Sequence, residues 1–170
     1  MHRLAARLAA PRVATLLVLL AAAATIATAL YSQHVLGYVP CKLCLIERWP
    51  YYVAVPLALA LVLAPVPDGV RRAGLWLLAL VFLVSAGLGA YHAGVEWGVW
   101  LGPNDCGGVP PPAPAGMDDF FKQLEGIRIV SCTEAPFHVR GLSMAGWNAV
   151  VSLALAAFAA LAAAWGPRAS

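Results

Sequence analysis

Charge is absent from this chain in long blocks rather than thinned evenly along it. Residues 13 to 32 (VATLLVLLAAAATIATALYS), 73 to 91 (AGLWLLALVFLVSAGLGAY) and 142 to 165 (LSMAGWNAVVSLALAAFAALAAAW) contain no Asp, Glu, Lys or Arg. A helix needs about 20 apolar residues to cross the hydrocarbon core of a bilayer, and each run meets that length. A fourth stretch, 45 to 64, is equally long but carries Glu47 and Arg48 at its front edge. The pattern predicts an all-α membrane protein, a bundle of four transmembrane helices at about 13–32, 45–64, 73–92 and 142–165. Loops at about 33–44 and 93–141 complete a single integral-membrane domain over 1–170. Within the second span, Pro50 suits a first helical turn, where a missing N–H costs little, whereas Pro56 is expected to kink the helix.

Composition supports the membrane reading. The chain is 62% hydrophobic and 11% charged, against roughly a quarter charged for a soluble domain. Arg3, Arg7 and Arg12 precede the first run, and Ala27-Thr28-Ala29 resembles a signal cleavage site. The run exceeds the 7–15-residue core of a signal peptide and more spans follow, so it reads as a span. With four spans, both termini and the link 65–72 share one side. That side holds Arg3, Arg7, Arg12, Arg71, Arg72 and Arg168 in short segments beside helix ends. The positive-inside rule makes it cytoplasmic.

Cys41, Cys44, Cys106 and Cys132 then all face outward, where disulfides persist. Two stapling disulfides are one explanation. That reading suits Cys106 and Cys132, which are widely spaced in one loop, better than it suits Cys41 and Cys44. Closing so short a ring removes little loop entropy. Four cysteines also make a zinc site, but a second closely spaced pair is missing, and no metal is expected. Redox work is the reading favoured here.

The stretch PCKLCLIER (40–48) concentrates the chemistry. Cys44 lies at the predicted start of the second helix, where free N–H groups and the helix dipole stabilise a thiolate. Arg48 falls one turn deeper on the same face and adds a permanent cation; Lys42 pushes the same way. Glu47 is placed to screen Arg48 or to handle protons. Arg48 also has the plainer reading of an interface anchor that snorkels to headgroups. His34 and His92 end the first and third spans at the outer face, as polar anchors or, for His92, as a hydrogen-bond donor to a carbonyl ligand. SAGLGA (85–90) allows close helix approach.

The long outer loop divides into a proline-rich part, VPPPAPAG (109–116), and MDDFFKQLEGI (117–127). In the second, Met117, Phe120, Phe121, Leu124 and Ile127 share one helical face. This predicts a short amphipathic helix against lipid or a partner protein. Cys106 and Cys132 flank it, so a disulfide between them is expected on a mobile, exposed loop, open to an incoming thiolate.

Together QHV (33–35), PCKLCLIER (40–48), Cys106 in GPNDC, and the run from Cys132 and Glu134 to GLSMAGW (141–147) resemble the DsbB family of bacterial inner-membrane proteins. The resemblance covers nearly the whole chain. It implies a four-helix bundle with a long periplasmic loop, two essential disulfides and a bound quinone, ubiquinone or menaquinone. The implied partner is a periplasmic DsbA-like thiol oxidase of thioredoxin fold, which this protein would reoxidise. Carried onto these positions, Cys106 and Cys132 form the outer pair and Cys106 takes the mixed disulfide. Cys132 then attacks Cys41, and Cys44 passes electrons to the quinone beside Arg48, with His92 and Glu47 at the quinone site. No nucleic-acid partner is expected.

Two other readings compete. A b-type haem carrier would use His34 and His92 as axial ligands, but it leaves the cysteines without work. A membrane scaffold with inert disulfides explains the cysteines but not their placement at the bilayer rim. A vitamin-K-epoxide-reductase-like enzyme shares the chemistry, but its reactive pair lies later in the chain.

Overall fold

The computed structural model describes residues 10–103, 116–118, 121, 128–129, 132–135 and 138–166. Cys106 and most of the expected amphipathic helix lie outside them. Of that helix, Met117, Asp118 and Phe121 are described, and all three are helical.

Four helical spans cross the bundle, as expected. Helix α1 (Pro11–His34) opens on a proline whose missing N–H falls in the first turn, where no intrahelical partner exists. The second span is two helices, α2 (Lys42–Ile46) and α3 (Trp49–Leu63). Helix α4 (Asp68–Glu96) begins with an acidic residue at the positive end of its dipole. Helix α5 (Met144–Trp165) is capped by Ser143, whose Oγ accepts the Gly146 N–H at 3.1 Å.

The second span is interrupted just ahead of Pro50. Helix α3 runs unbroken through Pro56, and the interruption falls at Glu47 and Arg48. Pro50 is its cause. Its ring lacks an N–H and crowds the carbonyl four residues back, that of Ile46, the last residue of α2. The third span also outruns its expected end at 92 and continues to Glu96. His92 therefore sits a full turn inside the helix.

Small residues let the helices close up. A Cβ on Gly89 of α4 would lie 2.7 Å from the Ala149 backbone nitrogen and 3.0 Å from the Ala145 carbonyl of α5. Ala14, Val18 and Ala22 of α1, Ala54 and Ala58 of α3, Leu75, Leu78 and Phe82 of α4, and Ala159 of α5 fill the core. Outside it, Leu20, Leu63, Leu80, Leu83, Val84 and Leu153 are exposed. So much outward apolar surface has a solvent only in lipid.

At the end of the bundle that holds the link 65–67, Arg71 is buried and wrapped in backbone. Its guanidinium donates to the carbonyls of Leu61 (3.1 Å), Val66 (2.5 Å) and Ala64 (3.0 Å), and Asp68 lies at 3.4 Å. It caps the Leu61 carbonyl in the last turn of α3 and ties it to the carbonyls of Ala64 and Val66 just beyond. Arg72 does the same for Gly166 just past α5.

At the opposite end two small sheets tie down the loops. Strand β1 (Tyr38–Val39) pairs in parallel with β2 (Arg128–Ile129). Strand β3 (His138–Val139) pairs antiparallel with β4 (Leu142–Ser143). Arg140 and Gly141 join the latter with φ of 52° and 84°, the two positive values that a tight primed hairpin turn requires.

Candidate functional site

The two cysteines of PCKLC meet through helix geometry. Cys41 is the N-cap of α2, and its Sγ accepts the Cys44 N–H at 3.3 Å. This revises the expectation that Cys44 itself would start the helix. One turn separates the residues, so the Cys41 thiol also reaches the Cys44 sulfur, 3.1 Å away. Cys41 is fully buried, whereas Cys44 lies on the wall of a cavity. The Cys41 thiol is pushed up to about 12, first by the hydrogen bond it shares with Cys44 and then by burial. In the reduced pair Cys41 therefore keeps its proton and directs it at Cys44.

Cys132 corrects another expectation. It is fully buried, packed with Cys41, Leu43 and Val95 in a small apolar cluster against which Cys44 also rests. The reason lies in the backbone. Pairing of β2 with β1 carries the chain, three residues before Cys132, alongside the strand that leads into Cys41. The structure thus brings Cys132, Cys41 and Cys44 together.

Glu47 and Arg48, adjacent in sequence and both in the turn that Pro50 opens, go separate ways. Arg48 is buried and donates to Gln33 Oε1 and, at 3.5 Å, to the Ala29 carbonyl of α1. Glu47 does not screen it. Its Oε1 lies 2.6 Å from His92 Nδ1, and its Oε2 accepts from Asn148 Nδ2 at 2.8 Å. His92 in turn points Nε2 at the Cys41 sulfur, 3.8 Å away. The two sulfurs and a ring nitrogen of His92 all lie within 4.8 Å of one another. His92 is buried rather than an interfacial anchor. His34 is exposed at the end of α1. It is absent from the wall that His92 helps to line.

From Glu47 a buried polar chain runs inward. Asn148 Oδ1 accepts from the Tyr51 hydroxyl at 2.8 Å; Tyr51 meets Ser152 Oγ at 2.8 Å, which donates to Ser85 Oγ at 2.9 Å. Each member is satisfied by the next, as burial in an apolar bundle demands.

Cys44, Glu47, Arg48, Tyr51, His92 and Asn148 border one cavity of about 400 Å³. Ile26, Ala29, Met144, Ala145, Trp147 and Val151 supply much of its wall, and Cys44, Arg48, His92 and Glu96 bring polar atoms to it. An apolar cleft with a few convergent polar groups is the usual form of a small-molecule site. Sequence reasoning singled out Cys44, Glu47, Arg48 and His92. It missed Gln33, Asn148, Tyr51 and Glu96. Asn148 carried a signal, as an amide within an otherwise apolar span. Glu96 did too, four residues after His92 and therefore on its face of α4.

The arrangement defines a class: a multi-pass membrane protein with a redox-capable dithiol set against a cavity at one end of a four-helix bundle. The family model described as "Disulfide bond formation protein DsbB" matches residues 11–162. Proteins named "Disulfide bond formation protein B" are similar over most of their length. That of Marinobacter nauticus is 31% identical, covering 79% of this chain and 80% of the relative. That of Verminephrobacter eiseniae is 31% identical, covering 81% and 77% respectively. No solved structure matches. The chain belongs to the DsbB family, and its role is that of a disulfide oxidoreductase.

Proposed function

We propose that this protein reoxidises a periplasmic thioredoxin-fold thiol oxidase of the DsbA type and passes the electrons to a membrane quinone. The observation that carries this is the meeting of Cys132, Cys41 and Cys44 beside an apolar cavity. A soluble protein dithiol needs a disulfide it can reach from water, and a lipid-soluble oxidant needs one at bilayer depth. One chain holding both can relay between them.

The exchange steps balance as follows. A partner thiolate attacks the Cys106–Cys132 disulfide at Cys106 and forms a mixed disulfide, which releases the Cys132 thiolate. The partner's second thiol resolves the mixed disulfide when the electrons move on. Cys132 attacks Cys41 of the inner disulfide, and Cys44 leaves as the thiolate. Once the partner's second thiol has freed Cys106, the Cys106 thiolate attacks Cys132, which re-forms the outer disulfide and releases Cys41, protonated to the thiol. The Cys41 proton, once that pair is reduced, is directed at Cys44 and steadies the charge there.

The cavity fits a quinone headgroup. Its volume of about 400 Å³ is in the range of small-molecule pockets, its wall is mainly apolar, and Arg48 and His92 bring donors to the acceptor oxygens such a ring carries. When bound, the quinone supplies a two-electron, two-proton oxidant. Arg48 would hold it through a charge-assisted hydrogen bond, and Gln33 holds Arg48. Glu47 fixes the ring of His92 and, through Asn148, ties it to α5. Both termini are assigned to the cytoplasm and all four cysteines to the periplasm of the bacterial inner membrane, on the charge distribution.

A steady-state assay with purified protein, a reduced DsbA-type dithiol and a quinone analogue tests the reading. Sustained quinone reduction that depends on both substrates is expected. Reduction of the cysteines with no transfer to quinone would contradict it.

A further inference from the structure

Glu96 is a buried carboxylate for which the relay just described has no use. It is the last residue of α4. Its backbone is partly open at the helix end, but its side chain is only 7% exposed and lies on the cavity wall. Oε1 is 4.0 Å from His92 Nε2. Oε2 is buried and has no hydrogen-bond partner among the described residues. A buried oxygen in that state is unfavourable, and more so when charged. It becomes favourable when a ligand or a proton completes it.

A quinone ring offers only acceptors at its two oxygens, and the quinol offers two O–H donors. A carboxyl group can serve both, donating when protonated and accepting when ionised. Arg48 can do only the first. We propose that Glu96 is the proton-exchanging residue of the cavity, donating to a quinone oxygen and accepting from the quinol hydroxyl.

This rests on the quinone reading. Reoxidation of the inner pair gives up two electrons and one proton, that of the Cys41 thiol, since Cys44 is already a thiolate. The second proton is the one that the partner's thiol released to water on becoming the attacking thiolate. The quinone gains both electrons and both protons, and the Cys41–Cys44 disulfide re-forms. Glu96 hands the protons on from His92, whose Nε2 faces Cys41 on one side at 3.8 Å and Glu96 on the other at 4.0 Å. It ends the turnover in the protonation state in which it began. The other titratable groups on the wall are Tyr38, Cys44, Glu47, Arg48, Tyr51 and His92. Of the carboxylates, Glu47 is already occupied at both oxygens, which leaves Glu96 free to exchange.

The test compares parent protein with Glu96→Gln, which keeps size and polarity but carries no exchangeable acid. Redox-induced infrared difference spectra, recorded with a ubiquinone analogue, should show a carboxylic C=O band in the parent that the variant lacks. Turnover should fall by about 10²-fold or more, the scale of lost general acid catalysis. The affinity for the oxidised quinone analogue should change little, and Glu96→Asp should recover part of the rate. An unchanged band together with unchanged turnover in Glu96→Gln would overturn the assignment while leaving the quinone reading intact. Absence of quinone reduction by the parent protein would overturn both.

Discussion

Two arginines are buried at opposite ends of this bundle, and they are built for different work. Arg71 donates to three backbone carbonyls and lies beside Asp68, so its donors are consumed by the end of α3 and the link that follows. Arg48 donates to one side-chain oxygen and to a more distant carbonyl, and it borders a cavity. Both are 8% exposed, so burial alone does not separate them. Partners do. A cation whose hydrogen bonds are used up holds the fold together. One with donors left beside an apolar cleft is available to a ligand.

The surroundings extend the contrast. Around Arg71 the polar groups are backbone. Around Arg48 they are side chains, with Glu47 bound to His92 and Asn148, and the chain running on through Tyr51 to Ser152 and Ser85. Pro50 produces this by opening the span at Glu47 and Arg48, which sends adjacent residues to different neighbours.

The largest effect is expected inside the site. Cys41→Ser and Cys44→Ser should each reduce quinone turnover to background while Cys106 still traps the partner as a mixed disulfide, read on a non-reducing gel. Normal turnover in either would mean that the inner pair is misassigned. Next, Arg48→Ala should raise the KM for a quinone analogue by about 10–100-fold, the loss of one charge-assisted hydrogen bond of about 1.5–3 kcal/mol, with thermal stability little changed. Arg71→Ala should do the reverse. It removes the guanidinium from the carbonyls of Leu61, Ala64 and Val66, at a cost of about 1–3 kcal/mol, so the unfolding midpoint should fall while KM stays constant. If both arginine variants alter KM alike, the comparison between the two ends breaks down. The smallest effect is Ser152→Ala, about 1 kcal/mol of stability from the middle of the polar chain, measured by denaturant unfolding in detergent.

Much of this was legible from the chain. Blocks without charge marked three of the four spans because lipid tolerates no unpaired charge, and the resemblance carried by PCKLCLIER marked the inner pair. The positions of the breaks were less legible. Pro50 and Pro56 look alike in sequence, and only Pro50 interrupts the span, since α3 continues through Pro56. Cys132 was expected on an exposed loop because it flanks the amphipathic segment of the long outer loop. Its burial follows from a pairing between β1 and β2, about ninety residues apart in sequence, that no local pattern reports. Glu47 beside Arg48 suggested an ion pair, and tertiary partners on α1, α4 and α5 separated them. Glu96 was readable from its spacing to His92, but its unpartnered oxygen was not.

The central claim is that Cys44 is the last sulfur to hold the electrons before they leave the protein. Single-turnover mixing of partner-reduced protein with a quinone analogue, followed by its absorbance under anaerobic conditions, tests this most directly. One equivalent of quinol per inner disulfide re-formed is the predicted result, with none from Cys44→Ser. Quinol formation at the parent rate in Cys44→Ser would contradict it.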